Sequence, residues 1–236
     1  MNYFLVSKEN FFSTHLFNLL NKEKDLDNSV YGRCTHYYNW TFISDKKILT
    51  EISLDPKTVK LFFFHWSYIV PKKIYTTYEC INLHTSNLPD GKGGSPIQNQ
   101  IMENILFTKV NALRMSVDGL DSGPVYNSRE ITLQGSLNDI WITITCAAFK
   151  LIKDIIIHGL KPVKQVQGNF VTYKRRKDNE IPFLEKDLLE IYNFIRMLDN
   201  KDYPNPFIKI GDYILEFSRA NFDGEKIISD VSIKKL

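Results

Sequence analysis

The sequence predicts an α/β fold: a Rossmann-like, largely parallel sheet followed by a small C-terminal α+β appendage. From residue 1 to about 165, short apolar runs alternate with stretches of helical periodicity, the pattern of strands joined by crossover helices. Val59-Lys60-Leu61-Phe62-Phe63-Phe64 is nearly continuous in apolar character, as in a strand buried on both faces. After Pro162 the pattern changes to one helix and several short strands punctuated by Pro and Gly-Asp turns. A main domain over residues 1–165 and an appendage over 166–236 follow.

In chain order, Tyr3 to Val6 reads as the first strand and Phe12 to Asn21 as the helix after it. Val59 to Phe64 and Cys80 to His84 are the next buried strands. Ser95-Pro96 opens a helix, with Ser as N-cap and Pro at the first helical position. Val110 to Ser116 and Val125 to Leu133 flank a loop centred on Asp121. Ser136 caps the clearest helix of the chain, with Leu137, Ile140, Ile144, Ala147, Ala148, Leu151 and Ile155 on one face and Gly159 ending it. Asn169 to Lys174 reads as a strand and Phe183 to Leu198 as a helix. Pro204 and Pro206 then precede strands at Phe207 to Ile210, Tyr213 to Ser218 and Lys226 to Ile233. Gly211-Asp212 and Asp223-Gly224 supply their turns.

With 236 residues and a hydrophobic fraction of 43%, the chain can bury a sizeable core. No apolar run reaches the roughly 18 residues that span a bilayer. Met1-Asn2-Tyr3-Phe4-Leu5-Val6 lacks the basic n-region of a signal peptide, so a cytoplasmic address is expected. Cys34, Cys80 and Cys146 lack metal-ligand spacing and are expected as reduced, mostly buried thiols; no metal site is expected. A formal net charge of +3 is too weak by itself to argue for nucleic-acid binding, although Lys174-Arg175-Arg176-Lys177 is locally basic. Ser7-Lys8-Glu9-Asn10 stands where a Gly-rich dinucleotide fingerprint would follow the first strand, which argues against an NAD or FAD site.

The chemistry concentrates at Asn82, His84 and Asp121. In an extended strand residues i and i+2 point to one face, so Asn82 and His84 can aim at one reacting atom. Acyl transfer to an amine passes through a tetrahedral intermediate bearing an oxyanion. An Asn amide can donate to that oxygen, a contribution of ~2.7–4 kcal/mol. A positioned His base is worth roughly a hundred- to ten-thousandfold in rate. A carboxylate such as Asp121 can fix the imidazole's tautomer and stabilise its charged form. Taken singly, Asn82 also suits a strand end, His84 a loop histidine and Asp121 an Asx-turn. Asp118, three residues earlier, competes for the carboxylate role.

Asn82-Leu83-His84-Thr85-Ser86-Asn87-Leu88-Pro89, answered by Asp121-Ser122-Gly123-Pro124, resembles the N10-formyltetrahydrofolate-dependent formyltransferases. The resemblance implies catalytic roles for Asn82 (oxyanion donor), His84 (base) and Asp121 (holding the base). It places Asp121, before Ser-Gly-Pro, ahead of Asp118 as the catalytic carboxylate. Asn87-Leu88 and the loop Asp90-Gly91-Lys92-Gly93-Gly94 depart from the family's pattern. Three glycines there suggest a backbone that approaches a ligand closely.

Phe64-His65-Trp66-Ser67-Tyr68-Ile69-Val70-Pro71, Tyr173-Lys174-Arg175-Arg176 and Ile195-Arg196-Met197-Leu198 resemble stretches of the sugar N-formyltransferases within that family. The resemblance implies N10-formyltetrahydrofolate as donor, near His65, Trp66, Tyr68, Ser86, Leu88 and Asp118. It also implies an acceptor held by Lys92, Gly93, Tyr173, Arg175, Arg176 and Arg196. The expected acceptor is a nucleotide-linked amino sugar, dTDP-4-amino-4,6-dideoxyglucose first, with the product entering lipopolysaccharide O-antigen. Homodimerisation through the C-terminal strands and no nucleic-acid or membrane partner are expected with it. A glycinamide ribonucleotide or methionyl-tRNA formyltransferase is the alternative. The roughly 70 residues after Val166 and the charge of +3 weigh against the tRNA enzyme. A silent nucleotide-sugar binding module is the remaining reading.

Overall fold

The apolar runs become strands β1 (Asn2–Val6), β2 (Asn39–Ile43), β3 (Val59–Phe63) and β4 (Glu79–Thr85). A two-residue β5 (Lys92–Gly93) precedes β6 (Phe107–Arg114) and β7 (Val125–Thr132). This computed structural model describes residues 1–26, 39–182 and 186–236. Six of these strands form one sheet in the order β2-β1-β3-β4-β6-β7. β1 pairs in parallel with β2 and β3, β3 in parallel with β4, and β4 antiparallel with β6. The fold is therefore α/β with a largely parallel central sheet, as the sequence predicts.

By packing, the chain divides into two compact units that interleave in sequence. Unit 1 comprises Met1–Lys92, Lys109–Ile131 and Ile144–Val171. Unit 2 comprises Gly93–Thr108, Thr132–Thr143 and Thr172–Leu236.

In unit 1 the reading of β3 as a buried, nearly continuous apolar strand holds: Leu61, Phe62 and Phe63 are fully buried. Helix α1 (Phe11–Leu26) follows β1, and Asn10 starts it by accepting the Ser13 amide on Oδ1 at 2.9 Å. Two short helices, α2 (Lys46–Glu51) and α3 (Lys72–Thr77), escape the sequence reading, as does β2. Helix α4 (Pro96–Met102) belongs to unit 2. Helix α5 (Leu137–His158) keeps the predicted stripe, with all seven named residues buried. Ser136 and Asp139 cap it reciprocally: the Asp139 amide donates to Ser136 Oγ at 3.3 Å and the Ser136 amide to Asp139 Oδ2 at 3.0 Å.

Unit 2 carries the remaining C-terminal elements: β8 (Thr172–Tyr173), α6 (Leu188–Arg196), β9 (Phe207–Ile210), β10 (Tyr213–Phe222) and β11 (Ile227–Lys235). The predicted strand from Asn169 shrinks to β8. Helix α6 starts at a capping box, Asp187 accepting the Glu190 amide at 2.8 Å and Glu190 the Asp187 amide at 3.2 Å; Phe183 lies outside the described residues. β9, β10 and β11 form an antiparallel sheet in the order β11-β10-β9. β10 runs past the predicted end at Ser218 because its register shifts between Ser218 and Asn221, with Arg219 at φ 52.

Three expectations are corrected here. Ser95 sits at the head of α4 with left-handed φ 48 and ψ 48 and makes no side-chain cap. Arg196 is only 6% exposed, and its guanidinium donates to Leu133 O at 2.6 Å, Gly135 O at 3.1 Å and Asn193 Oδ1 at 2.8 Å. It holds unit 2 together and does not present its charge to a nucleotide. Cys80 is buried, with burial pushing its thiol up to about 12, but Cys146 is exposed; Cys34 lies outside the described residues. Among the described residues no helix is long and apolar enough to cross a membrane.

Candidate functional site

The carboxyl end of β4 delivers Asn82 and His84 to one side of the sheet, two residues apart as the pleat requires. Their partner arrives on the loop between β6 and β7. Asn82 Nδ2 donates to Asp121 Oδ1 at 3.1 Å, and His84 Nδ1 lies 3.5 Å from Asp121 Oδ2. His84 and Asp121 are both buried, at 6% and 8% exposure. His84 Nε2 lies 3.0 Å from Gly91 O. A carbonyl only accepts, so Nε2 carries the hydrogen and Nδ1 is the nitrogen turned to the carboxylate.

The Asp-Ser-Gly-Pro loop has a local physical logic. Asp121 adopts φ 52, a left-handed conformation that short polar side chains tolerate best. Gly123 lies so close to β6 that an added Cβ would sit 1.7 Å from Arg114 O. The Arg114 amide donates to Pro124 O at 2.8 Å, closing the loop's base. Gln165 clamps the loop from outside, its amide nitrogen donating to Asp121 O at 2.8 Å and Gly123 O at 2.7 Å. Lys92 Nζ donates to Ser122 Oγ at 3.1 Å.

Asn82 and Asp121 open onto a cavity of about 280 Å³. Trp66, Tyr68, Ile69, Val70, Tyr75, Leu113, Met115, Val117 and Leu120 supply most of its wall, with Ser116, Gly119 and Gly123. A largely apolar hollow with a few convergent polar groups is the usual form of a small-molecule site. Trp66 meets Tyr68 edge-on at 5.1 Å between centroids, so both aromatics of the His-Trp-Ser-Tyr stretch face this cavity. His84 lies one layer further in, reached through Asp121.

Other expected donor contacts are placed differently. His65 is held by Asn10, whose Nδ2 lies 2.6 Å from His65 Nδ1, and its backbone is left-handed at φ 49. Both bind it to the start of α1 instead of the cavity. Asp118 is exposed and accepts from Ser116 Oγ at 2.9 Å. Ser86 is 1% exposed, and Leu88 is half-buried beside Pro89.

Burial first, and Lys8 second, lower His65 from 6.5 to about 4. The unfolded chain therefore takes up a proton that the native state resists. The resulting stability is fully present above the unfolded value of 6.5 and is lost as pH falls from there through about 4. His65→Asn tolerates the same left-handed backbone and cannot titrate. Its urea midpoint should fall less than that of the wild type between neutral pH and pH about 4.5; equal falls in both proteins would assign the acid loss to other groups.

Of the expected acceptor contacts, Gly93, Tyr173, Arg175 and Arg176 belong to unit 2 with Arg196. Gly93, at φ 100, leaves no room for a Cβ, which would sit 2.4 Å from Tyr173 O. Arg175 and Arg176 are exposed.

Two supporting residues in unit 1 escaped the sequence reading. Asn111 is buried in β6 opposite His84, and its Nδ2 donates to Ser86 O at 2.6 Å and His84 O at 3.3 Å. Its Oδ1 accepts from Ser128 Oγ at 2.7 Å. The available signal was a lone polar residue inside the apolar run Val110-Asn111-Ala112-Leu113. Gln165 gave no local signal. Among the described residues no group of three or more His, Cys, Asp or Glu is placed to hold a metal ion.

Residues 176–234 match the profile of the methionyl-tRNA formyltransferase C-terminal domain. The methionyl-tRNA formyltransferase of Malacoplasma penetrans is 30% identical over 196 residues, covering 77% of this chain and 60% of its own length. The chain thus spans 60% of that relative. A solved structure of methionyl-tRNA formyltransferase from Clostridium thermocellum superposes with a TM-score of 0.84 at 33% identity, over 100% of this chain and 99% of that one. An N-formyltransferase from Helicobacter canadensis, solved with folinic acid and dTDP-3-aminofucose, superposes with a TM-score of 0.62 at 17% identity, which shows the fold alone.

These findings overturn the expected amino-sugar acceptor, and with it the expected place in O-antigen synthesis. The expectation weighed the short segment after Val166 against a tRNA enzyme. The Clostridium protein bears that name at the length of this chain, so the shortness does not discriminate. The site geometry, the C-terminal match and the full-length superposition together show that the chain belongs to the formyltransferase family.

Proposed function

We propose that this protein transfers a formyl group from N10-formyltetrahydrofolate to the α-amino group of methionyl-tRNA. The match of residues 176–234 to the C-terminal domain of methionyl-tRNA formyltransferases carries the choice of acceptor. The folate donor is supported by family membership and by the folinic acid bound to the Helicobacter neighbour.

In this reading the amine nitrogen attacks the formyl carbon and the carbonyl oxygen takes the negative charge. Asn82 has two amide hydrogens; one is held by Asp121 and the other is free for that oxygen. The proton leaving the amine passes to Asp121, which faces the cavity, and His84 stabilises the pair from behind. The bond from the formyl carbon to N10 then breaks, and the Asp121–His84 pair returns the proton to N10. The base role expected for His84 alone is thus shared, because both ring nitrogens already face protein oxygens.

The test is an acceptor panel. The protein is mixed with N10-formyltetrahydrofolate and either methionyl-tRNA, glycinamide ribonucleotide or a dTDP-linked amino sugar, and mass spectrometry follows the gain of one formyl group. We expect it on methionyl-tRNA only. Formylation of a small amine in its place would keep the chemistry and reject the acceptor.

A further inference from the structure

His84 faces a protein oxygen at each ring nitrogen, Asp121 Oδ2 at Nδ1 and the Gly91 carbonyl at Nε2. Asp121 sits on the loop between β6 and β7, and Gly91 on the loop that follows Pro89. Both are held by one further stretch of chain, the irregular segment of residues 163–171 after α5. At its start Val163 and Val125 exchange backbone hydrogen bonds of 2.8 Å each, beside the base of the Asp121 loop. Gln165 Nε2 then donates to Asp121 O at 2.8 Å and Gly123 O at 2.7 Å. At its end the Val171 amide donates to Asp90 Oδ1 at 3.0 Å, and Val171 O accepts the Gly91 amide at 2.9 Å. All of these residues belong to unit 1.

Burial does not explain the segment. Val163, Val166 and Val171 are 72%, 67% and 54% exposed, so it adds little to the core. Gln165 also carries a cost: its Oε1 is buried with no hydrogen-bond partner among the described residues. The other end of that amide has two hydrogens, one for each carbonyl of the Asp121 loop. They hold a non-glycine residue at φ 52, a conformation that persists only where its surroundings impose it.

We propose that residues 163–171 are a positioning strap for the His84 imidazole. The strap acts on Nδ1 through Gln165 and Asp121, and on Nε2 through Val171 and Gly91. With Gly91 O in place the Nε2 hydrogen stays on that side, and Nδ1 is left facing Asp121 for the proton the pair takes up during transfer. Gln165 is a positioning residue, acting through the main chain of Asp121 and Gly123. The proposal rests on the Asp121–His84 pair of the proposed mechanism and not on the choice of acceptor.

The experiment compares the full-chain wild type with Gln165→Leu, Asp121→Asn, the double variant, Asp90→Ala and Asp90→Asn. Gln165→Leu and Asp90→Ala should each lower turnover by about ten- to a hundredfold, the loss expected when a reacting group is misplaced. Asp90→Asn keeps the acceptor for the Val171 amide and should restore turnover. In the Asp121→Asn background Gln165→Leu should cost no more than about a further twofold, because it acts through Asp121. Nitrogen-15 spectra of ring-labelled histidine supply a readout independent of turnover. The wild type should show His84 protonated on Nε2 with a slowly exchanging hydrogen, and Asp90→Ala should lose that signal. Wild-type turnover and an unchanged His84 signal in both Gln165→Leu and Asp90→Ala would overturn the strap. So would a Gln165→Leu loss that is fully retained beside Asp121→Asn, the mark of a merely structural role. Should Gln165→Leu fail to fold, the Asp90 pair decides alone. A wild type that formylates no methionyl-tRNA rejects the acceptor reading, and the imidazole signal still decides the strap.

Discussion

Asp121→Asn should lower turnover by about a hundredfold or more while leaving the fold in place. The substitution keeps the shape of the side chain, and Asn tolerates the left-handed φ of 52 as well as Asp does. Gln165 holds this residue through its backbone oxygen, a contact the exchange does not touch. What is lost is the negative charge 3.5 Å from His84 Nδ1 and the acceptor that faces the cavity. Steady-state kinetics beside a thermal melt separates the two effects. Turnover near that of the wild type would remove Asp121 from the mechanism. Loss of activity in Asp118→Asn with Asp121→Asn active would show that the exposed carboxylate had been wrongly passed over.

Gly123→Ala should be the most damaging small substitution in the loop. The added methyl would begin 1.7 Å from Arg114 O and 3.0 Å from Arg114 C, both in the backbone of β6, so no side-chain rotation relieves the clash. Either β6 or the loop carrying Asp121 must shift, at a cost of about 3 kcal/mol or more, the upper range for overpacking. Gly159→Ala is the contrast: Gly159 is left-handed, at φ 57, which Gly123 is not, and nothing lies within 4 Å of the place its methyl would take. It should lose only about 1 kcal/mol. Equal urea-derived losses for the two variants would mean that the approach of Arg114 does not require a glycine at 123.

The long elements were legible because their burial is periodic. α5 shows its stripe over 22 residues and β3 its nearly continuous apolar run. β2 is a five-residue edge strand with a mixed burial pattern, and α3 is a six-residue helix that buries only Ile74; neither gives a period to read. At the site, the Asn-x-His spacing and Asp-Ser-Gly-Pro were visible, since both are local. The supports were not. Asn111 reaches Ser86 across 25 positions and Gln165 reaches Gly123 across 42, so their roles exist only once the sheet has formed. His65 and Arg196 misled for a related reason. Residue type suggested a ligand contact, but a left-handed backbone turned His65 to Asn10, and the carbonyls of Leu133 and Gly135 claimed Arg196.

The most direct test of the account compares wild type and Asn82→Ala in single-turnover formation of N-formylmethionine on methionyl-tRNA, with folinic acid affinity measured for both. The wild type should form the product, and Asn82→Ala should form it about a hundredfold more slowly, with folate binding unchanged. Product formation by the variant at the wild-type rate, or no product from a wild type that binds folate, would contradict the account.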